Sequence, residues 1–273
     1  MLMIELRQSN SFPIITLTTD FSGKDGYVGT MRGVILSICP TAILTDLSHD
    51  IPPQDIRSAA FVLYQAFNYY PSHTIHCVVV DPGVGSKRRA IAVRTNQGIF
   101  VGPDNGVFSL ILSASDTHVI EAVTLTNPAY QLPNVSATFH GRDIFAPAAA
   151  HIANGVPLNK LGPAAINLVP LEFELKSQDD ICRVMHIDRF GNLILDITSD
   201  DIDDPEHVTF TIGHKRIRPL SHTFADVEEG QLLAYIGSLR NHIEIAIRNG
   251  NAGQALGVQV GDVVKVTERR TGI

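Results

Sequence analysis

The apolar residues change their period part-way along this chain, and that change constrains the fold more than any other feature. Up to about Lys160, short β-rich apolar runs alternate with segments whose apolar residues recur at helical spacing, as in a parallel sheet wound with crossover helices. Phe12 to Thr18 reads as a strand; Val28, Met31, Ile35 and Ile38 then trace one helical face until Pro40 stops it. Ala42 to Leu47 reads as a second strand and Gln54 to Phe67, after Pro52-Pro53, as a helix. Thr74 to Val80, Ala90 to Val93 and Ile99 to Val101 read as further strands. Asp104-Asn105-Gly106 is suited to cap a helix through Leu112, and Arg142 to Ala153 to form the last helix, closed by Gly155.

Beyond Ile181 the helical pattern gives out. Strand candidates follow at Cys182 to Ile187, Leu193 to Ile197, Val208 to Ile212, Gln231 to Ile236, His242 to Ile247 and Asp262 to Thr267, separated by turn residues. The expected architecture is an α/β amino-terminal domain with a mostly parallel sheet over residues 1–165, a linker over 166–180, and a smaller all-β, barrel-like carboxyl-terminal domain over 181–273.

A length of 273 residues with 44% apolar and 18% charged side chains suits one large or two modest folded domains and excludes a disordered chain. Lys and Arg total 21 against 28 Asp and Glu, so the net charge of −7 argues against nucleic acid, whose binding rests on phosphate neutralisation. Cys39, Cys77 and Cys182 are odd in number and lack a CxxC spacing, which points to reduced, buried thiols. Eleven histidines include no HExxH and no zinc-like cluster, so no metal is expected. The amino terminus lacks a basic region followed by a long apolar run, and no apolar stretch is long enough to span a bilayer, which predicts a cytoplasmic protein without membrane contact. Asn134-Val135-Ser136 is then a chance match to a glycosylation acceptor, and Asp200, Asp201, Asp203 and Asp204 read as a solvated turn.

In open α/β sheets, ligands bind beyond the carboxyl ends of the strands, and three such ends carry polar residues. Asp20, in Thr18-Thr19-Asp20-Phe21-Ser22-Gly23, is placed either to accept ribose hydroxyls or to cap the following helix. Val80-Asp81-Pro82-Gly83-Val84-Gly85 runs into Ser86-Lys87-Arg88-Arg89, and the glycine turn can return Arg88 towards Asp81, as a functional pair or as a surface ion pair on a hairpin. His140, in Phe139-His140-Gly141-Arg142-Asp143, is either functional or a satisfied structural histidine. There is no GxGxxG, P-loop or GxSxG.

TTDFSGKDGYVGTMRG, IPPQDI, VVDPGVGSKRRAIAV, FVGPDNGV, TFHGRDIFAPAAAHIANG and MHIDRFGNL, in this order, resemble the S-adenosylmethionine (SAM) hydroxide adenosyltransferases, or SAM hydrolases. These belong to the superfamily that includes the SAM-dependent fluorinase and chlorinase. The resemblance implies a catalytic set of Asp81, Arg88 and His140, with Asp20 on the ribose. It further implies Asp188 on the methionine ammonium, Phe190 and Asn192 on adenine, and contributions from Ser238 and Glu244; whether Ser238, Arg240 or a backbone amide meets the substrate carboxylate stays open. It implies no cofactor, and a homotrimer with active sites between neighbouring subunits.

Chemistry separates the branches. The fluorinase has Tyr where this chain has Asp81 and Ser where it has Gly141. A halide needs no base and is repelled by a carboxylate, whereas water needs a proton acceptor, so Asp81 and His140 favour hydrolysis at the ribose C5′ to adenosine and methionine. The rival expectations are a SAM-dependent chlorinase, with which Gly141 is compatible, and a SAM- or adenosine-binding module.

Overall fold

The computed structural model describes residues 12–171, 181–238 and 240–267, and the chain divides after Leu171 into two compact units. The first is a three-layer α/β/α unit. Its elements are β1 (Ile14–Thr19), α1 (Tyr27–Ile38), β2 (Ile43–Ser48), α2 (Ile56–Ala66), β3 (Ile75–Val79), β4 (Ala90–Thr95), β5 (Ile99–Pro103), α3 (Ser109–Leu112), β6 (Val119–Thr124) and α4 (Ala146–Ala153). The sheet order is β2-β1-β3-β5-β4-β6, parallel from β2 to β5, with β4 antiparallel to both of its neighbours.

Alternation along the central strands builds a core on each face. Ile75, Cys77 and Val79 of β3 join Val101 of β5 against Met31 and Ile35 of α1 and Ala149 of α4. Val78 and the following Val80 join Phe100 against Ala59 and Leu63 of α2 on the other face. α2 begins where Asp55 accepts the Ser58 N–H at 2.9 Å.

One strand of the mostly parallel sheet is reversed, and the structure departs from expectation in two further places. β4 is antiparallel because only Asn96-Gln97-Gly98 separates it from β5, too little chain for a crossover. β6, not foreseen, closes the far edge beside β4. Asp104 caps no helix: α3 starts after Phe108 without a side-chain cap, while Asp104 accepts Arg89 Nε at 2.7 Å and the Val169 N–H at 2.8 Å.

Among its described residues the second unit is all-β apart from one short helix and two 3₁₀ turns. Its strands are β7 (Ile181–Ile187), β8 (Leu193–Thr198), β9 (Thr209–Ile212), β10 (Lys215–Ile217), β11 (Leu220–Ser221), β12 (Leu232–Ile236), β13 (His242–Ile247) and β14 (Val263–Thr267), with α5 (Ala252–Leu256) before the last. They form one eight-stranded sheet, β10-β9-β14-β7-β8-β13-β12-β11. β10 also lies against β12, so the sheet curls into a nearly closed barrel around Val184, Leu195, Phe210, Ile243 and Val264. All three cysteines are free and buried, and no helix among the described residues is long and apolar enough to cross a membrane.

Candidate active site

Asp81 follows the carboxyl end of β3, and the loop after it carries Arg88 back to the carboxylate. Gly85 makes that return possible with φ of +76°, a backbone conformation that L side chains rarely adopt. β3 and β4 are separated in the sheet by β5, so this loop is no hairpin. The pair is no surface pair either, since the Asp81 and Arg88 side chains are only 5% and 11% exposed. Arg88 Nε donates to Asp81 Oδ1 at 2.8 Å and Oδ2 at 3.0 Å, and its Nη2 donates to Oδ2. The guanidinium also lies over the Phe145 ring, 5.2 Å from its centroid.

Arg88 Nη2 is 2.8 Å from His140 Nδ1. A guanidinium has only protons to give, so Nδ1 accepts and the neutral imidazole carries its proton on Nε2. Burial, then the charge of Arg88, lowers the His140 pKa and keeps the ring neutral. His140 is therefore the third member of a connected set rather than a satisfied core histidine. The expected helix from Arg142 begins one step differently: Gly141–Phe145 is a π-helical turn that runs into α4 directly after His140. Asp143, fully buried in that turn, accepts the Ser136 N–H at 2.8 Å and Arg142 Nε at 2.6 Å, tying down the loop that leads to His140.

Asp20, beyond the end of β1, caps nothing. α1 starts at Tyr27 with Gly26 as its N-cap, and Asp20 Oδ2 instead accepts the Gln54 N–H at 2.8 Å. Asp20, Gln54, Asp81, Thr138, Phe139, His140 and Gly141 are among the residues around a cavity of about 220 Å³. That is below the roughly 300 to 1,000 Å³ of pockets that enclose whole small molecules.

In the second unit, Asp188 closes the tight turn after β7. Its Oδ1 accepts the N–H groups of Phe190 at 2.9 Å and Asn192 at 2.8 Å, and its Oδ2 accepts Asn192 Nδ2 at 2.9 Å. The turn holds the Phe190 ring out, 74% exposed, while Asn192 is buried. Glu244 on β13 faces Tyr235 on β12 in register, and the Tyr235 hydroxyl donates to Glu244 Oε2. Burial raises the Glu244 pKa, and the charge of Asp188 raises it further against the opposing bond from Tyr235. Burial and the bond to Glu244 raise that of Tyr235. Ser238 is exposed in the turn between these strands.

Gln54, Asp143 and Tyr235 escaped sequence reasoning. Tyr235 and Glu244 were open to discovery as partners once His242 to Ile247 was paired with Gln231 to Ile236. Gln54 falls within IPPQDI, one of the segments that carry the resemblance, and nothing else in the residue pattern marks it beyond its place before a helix cap.

Two family models match the chain: the SAM hydroxide adenosyltransferase N-terminal domain over residues 15–162 and its C-terminal domain over 182–265. The (R)-S-adenosyl-L-methionine hydrolase of Salinispora tropica is 41% identical over 260 residues, covering 93% of this chain and 98% of that protein. A fluorinase from Actinoplanes sp. is more distant, at 25% identity over 303 residues. Among solved structures, a conserved protein from Thermotoga maritima superposes with a TM-score of 0.84 at 35% identity, covering 93% of this chain and all of that one. With both domain models matched in order, and with the acid, guanidinium and imidazole joined at one cavity, the chain belongs to the SAM hydroxide adenosyltransferase family.

Proposed function

We propose that this protein hydrolyses SAM to adenosine and methionine by in-line attack of water on the ribose C5′, opposite the sulfonium. The observation that carries the reading is the chain of hydrogen bonds from Asp81 through Arg88 to His140 at the edge of the cavity. Methionine leaves as a neutral thioether, so no general acid is required. Bulk water has a pKa near 15.7 and an ordinary aspartate about 3.9, so complete deprotonation of water before attack would cost roughly 16 kcal/mol. The proton therefore moves as the attack acidifies the water, and Asp81 receives it. His140 Nδ1 is occupied by Arg88, which narrows the expectation that the imidazole shares in accepting the proton: in its neutral form it offers Nε2–H to orient the water oxygen. Arg88 places both partners, and its positive charge between them leaves poor ground for a metal ion.

Gly141 bears on the fluorinase branch and leaves the chlorinase, with which a glycine is compatible, to the chloride test below. A Cβ there would lie 3.2 Å from Val79 Cγ1 and 3.3 Å from both Met31 Sδ and Phe139 Cε2, so a serine at this position would have to displace its neighbours. In the same reading Asp20 binds the ribose, Phe190 and Asn192 the adenine, and Asp188 and Glu244 the methionine ammonium, while Ser238, Arg240 or a backbone amide meets the carboxylate. The homotrimer and cytoplasmic residence belong to this proposal too, the first to be tested by sedimentation.

The decisive experiment is incubation with SAM in ¹⁸O-labelled water containing a chelator. Adenosine and methionine are expected in equal amounts, with the label on the adenosine 5′-oxygen. A chlorinated nucleoside formed with added chloride, or label elsewhere, overturns the reading.

A further inference from the structure

Gln54 holds a costly backbone conformation at the edge of the cavity. Its φ is +66°, in the left-handed region that a glutamine adopts only when its surroundings demand it. Its backbone N–H donates to Asp20 Oδ2 at 2.8 Å, and its carbonyl accepts the Ile56 N–H at 3.1 Å. Gln54 is exposed and lines the cavity with Asp20, and no group among the described residues hydrogen-bonds its carboxamide.

A ribose cis-diol brings two O–H donors and also oxygen lone pairs. A carboxylate can satisfy only the donors, because it has no proton to give. The lone pairs need a donor; of the residues around the cavity Gln54, Thr138 and His140 carry one on the side chain, and Gln54 is the one whose backbone already holds Asp20. A glycine would accept φ of +66° without strain and would keep the N–H to Asp20, so the conformation alone gives no reason for a glutamine.

We propose that Gln54 reads the sugar: its backbone amide fixes Asp20 and its carboxamide donates to the ribose hydroxyls, so the cavity discriminates ribonucleosides from deoxyribonucleosides. This rests on the SAM hydrolase reading, with Asp20 on the ribose.

The test titrates wild type, Gln54→Ala and Gln54→Gly with adenosine, 2′-deoxyadenosine and 3′-deoxyadenosine, alongside the KM for SAM. Both variants keep the backbone N–H, so a purely structural role predicts no selective change. The proposal expects adenosine to bind each variant roughly three- to tenfold more weakly, the worth of a neutral hydrogen bond, with the KM for SAM rising in parallel. At least one deoxynucleoside should lose little, so that the preference for adenosine narrows. Unchanged adenosine affinity in both variants, or equal losses for all three nucleosides, overturns the role of Gln54 while leaving SAM hydrolysis standing. Failure of the wild-type protein to bind adenosine overturns both.

Discussion

Asp81 and Glu244, two of the buried acids among the described residues, are built on opposite electrostatic plans. Asp81 is compensated: a guanidinium grips its carboxylate in a fork and continues to an imidazole, and Phe145 backs the guanidinium. Glu244 has a neutral phenol on one oxygen and the negative charge of Asp188 nearby, so its compensation is incomplete. A compensated acid is positioned and gains little from binding a further cation. An undercompensated one is destabilised until a cation arrives, which suits the recognition of a substrate ammonium. In the proposed function the first plan serves chemistry and the second serves binding, and each prediction below can separate or merge them.

The largest effect should come from the compensated centre. Asp81→Asn keeps the shape but removes the proton acceptor, and is expected to lower turnover by roughly 10² to 10⁴-fold, the usual worth of a general base. Because Asp81 serves the water, adenosine affinity should change little in an equilibrium titration. His140→Ala combined with Asp81→Asn should be little worse than the poorer single variant, since both act on one water through Arg88. Turnover within a few-fold of wild type in a folded, SAM-binding Asp81→Asn protein would end the comparison.

The binding centre should respond differently. Glu244→Gln is expected to weaken SAM by about 30-fold or more, because losing one partner of a buried charge contact commonly costs roughly 2 to 5 kcal/mol. Adenosine lacks the ammonium and should bind nearly as before. Asp188→Ala is a less selective probe than its assignment to the ammonium suggests. Three hydrogen bonds from its carboxylate hold the turn bearing Phe190 and Asn192, so its loss should weaken adenosine as well as SAM. If Glu244→Gln reduces both ligands equally, Glu244 supports the barrel and not the substrate.

What the residue pattern disclosed divides along physical lines. The α1 face and the β3 run were legible because Met31, Ile35 and Ile75 to Val80 keep the periods of a helix and a buried strand. β6 escaped because Val119 and Ile120 of this edge strand are exposed, and β10 and β11 are too short to show a period. Within the site, Asp81 and Arg88 could be paired through a local glycine turn. His140 lies 52 residues from Arg88 in sequence, so its place beside the guanidinium was implied only by the family resemblance. The strained Gln54 backbone is set by Asp20, 34 residues away, which no local pattern records.

The smallest effect concerns pH and the empty protein. With its pKa raised in the folded state, Glu244 keeps its proton to a higher pH than it would in the unfolded chain. Between the ordinary carboxyl value and the raised one, the folded state binds more protons than the unfolded state, so this group makes stability fall as pH rises through that window. Above it the deficit is constant and complete. Glu244→Gln removes the ionisation while its amide oxygen can still accept from Tyr235, so at neutral pH the ligand-free variant should melt somewhat higher than wild type, with the difference vanishing as both are taken to acid. Binding a cation requires the ionised carboxylate, so wild-type SAM affinity should fall as pH drops through the raised value while adenosine affinity stays flat, and Glu244→Gln should show neither slope. Paired melting curves and titrations across the carboxyl range provide the check. A variant that melts lower than wild type at neutral pH would mean that the carboxylate is as well compensated as Asp81, and the contrast between the two centres would be lost.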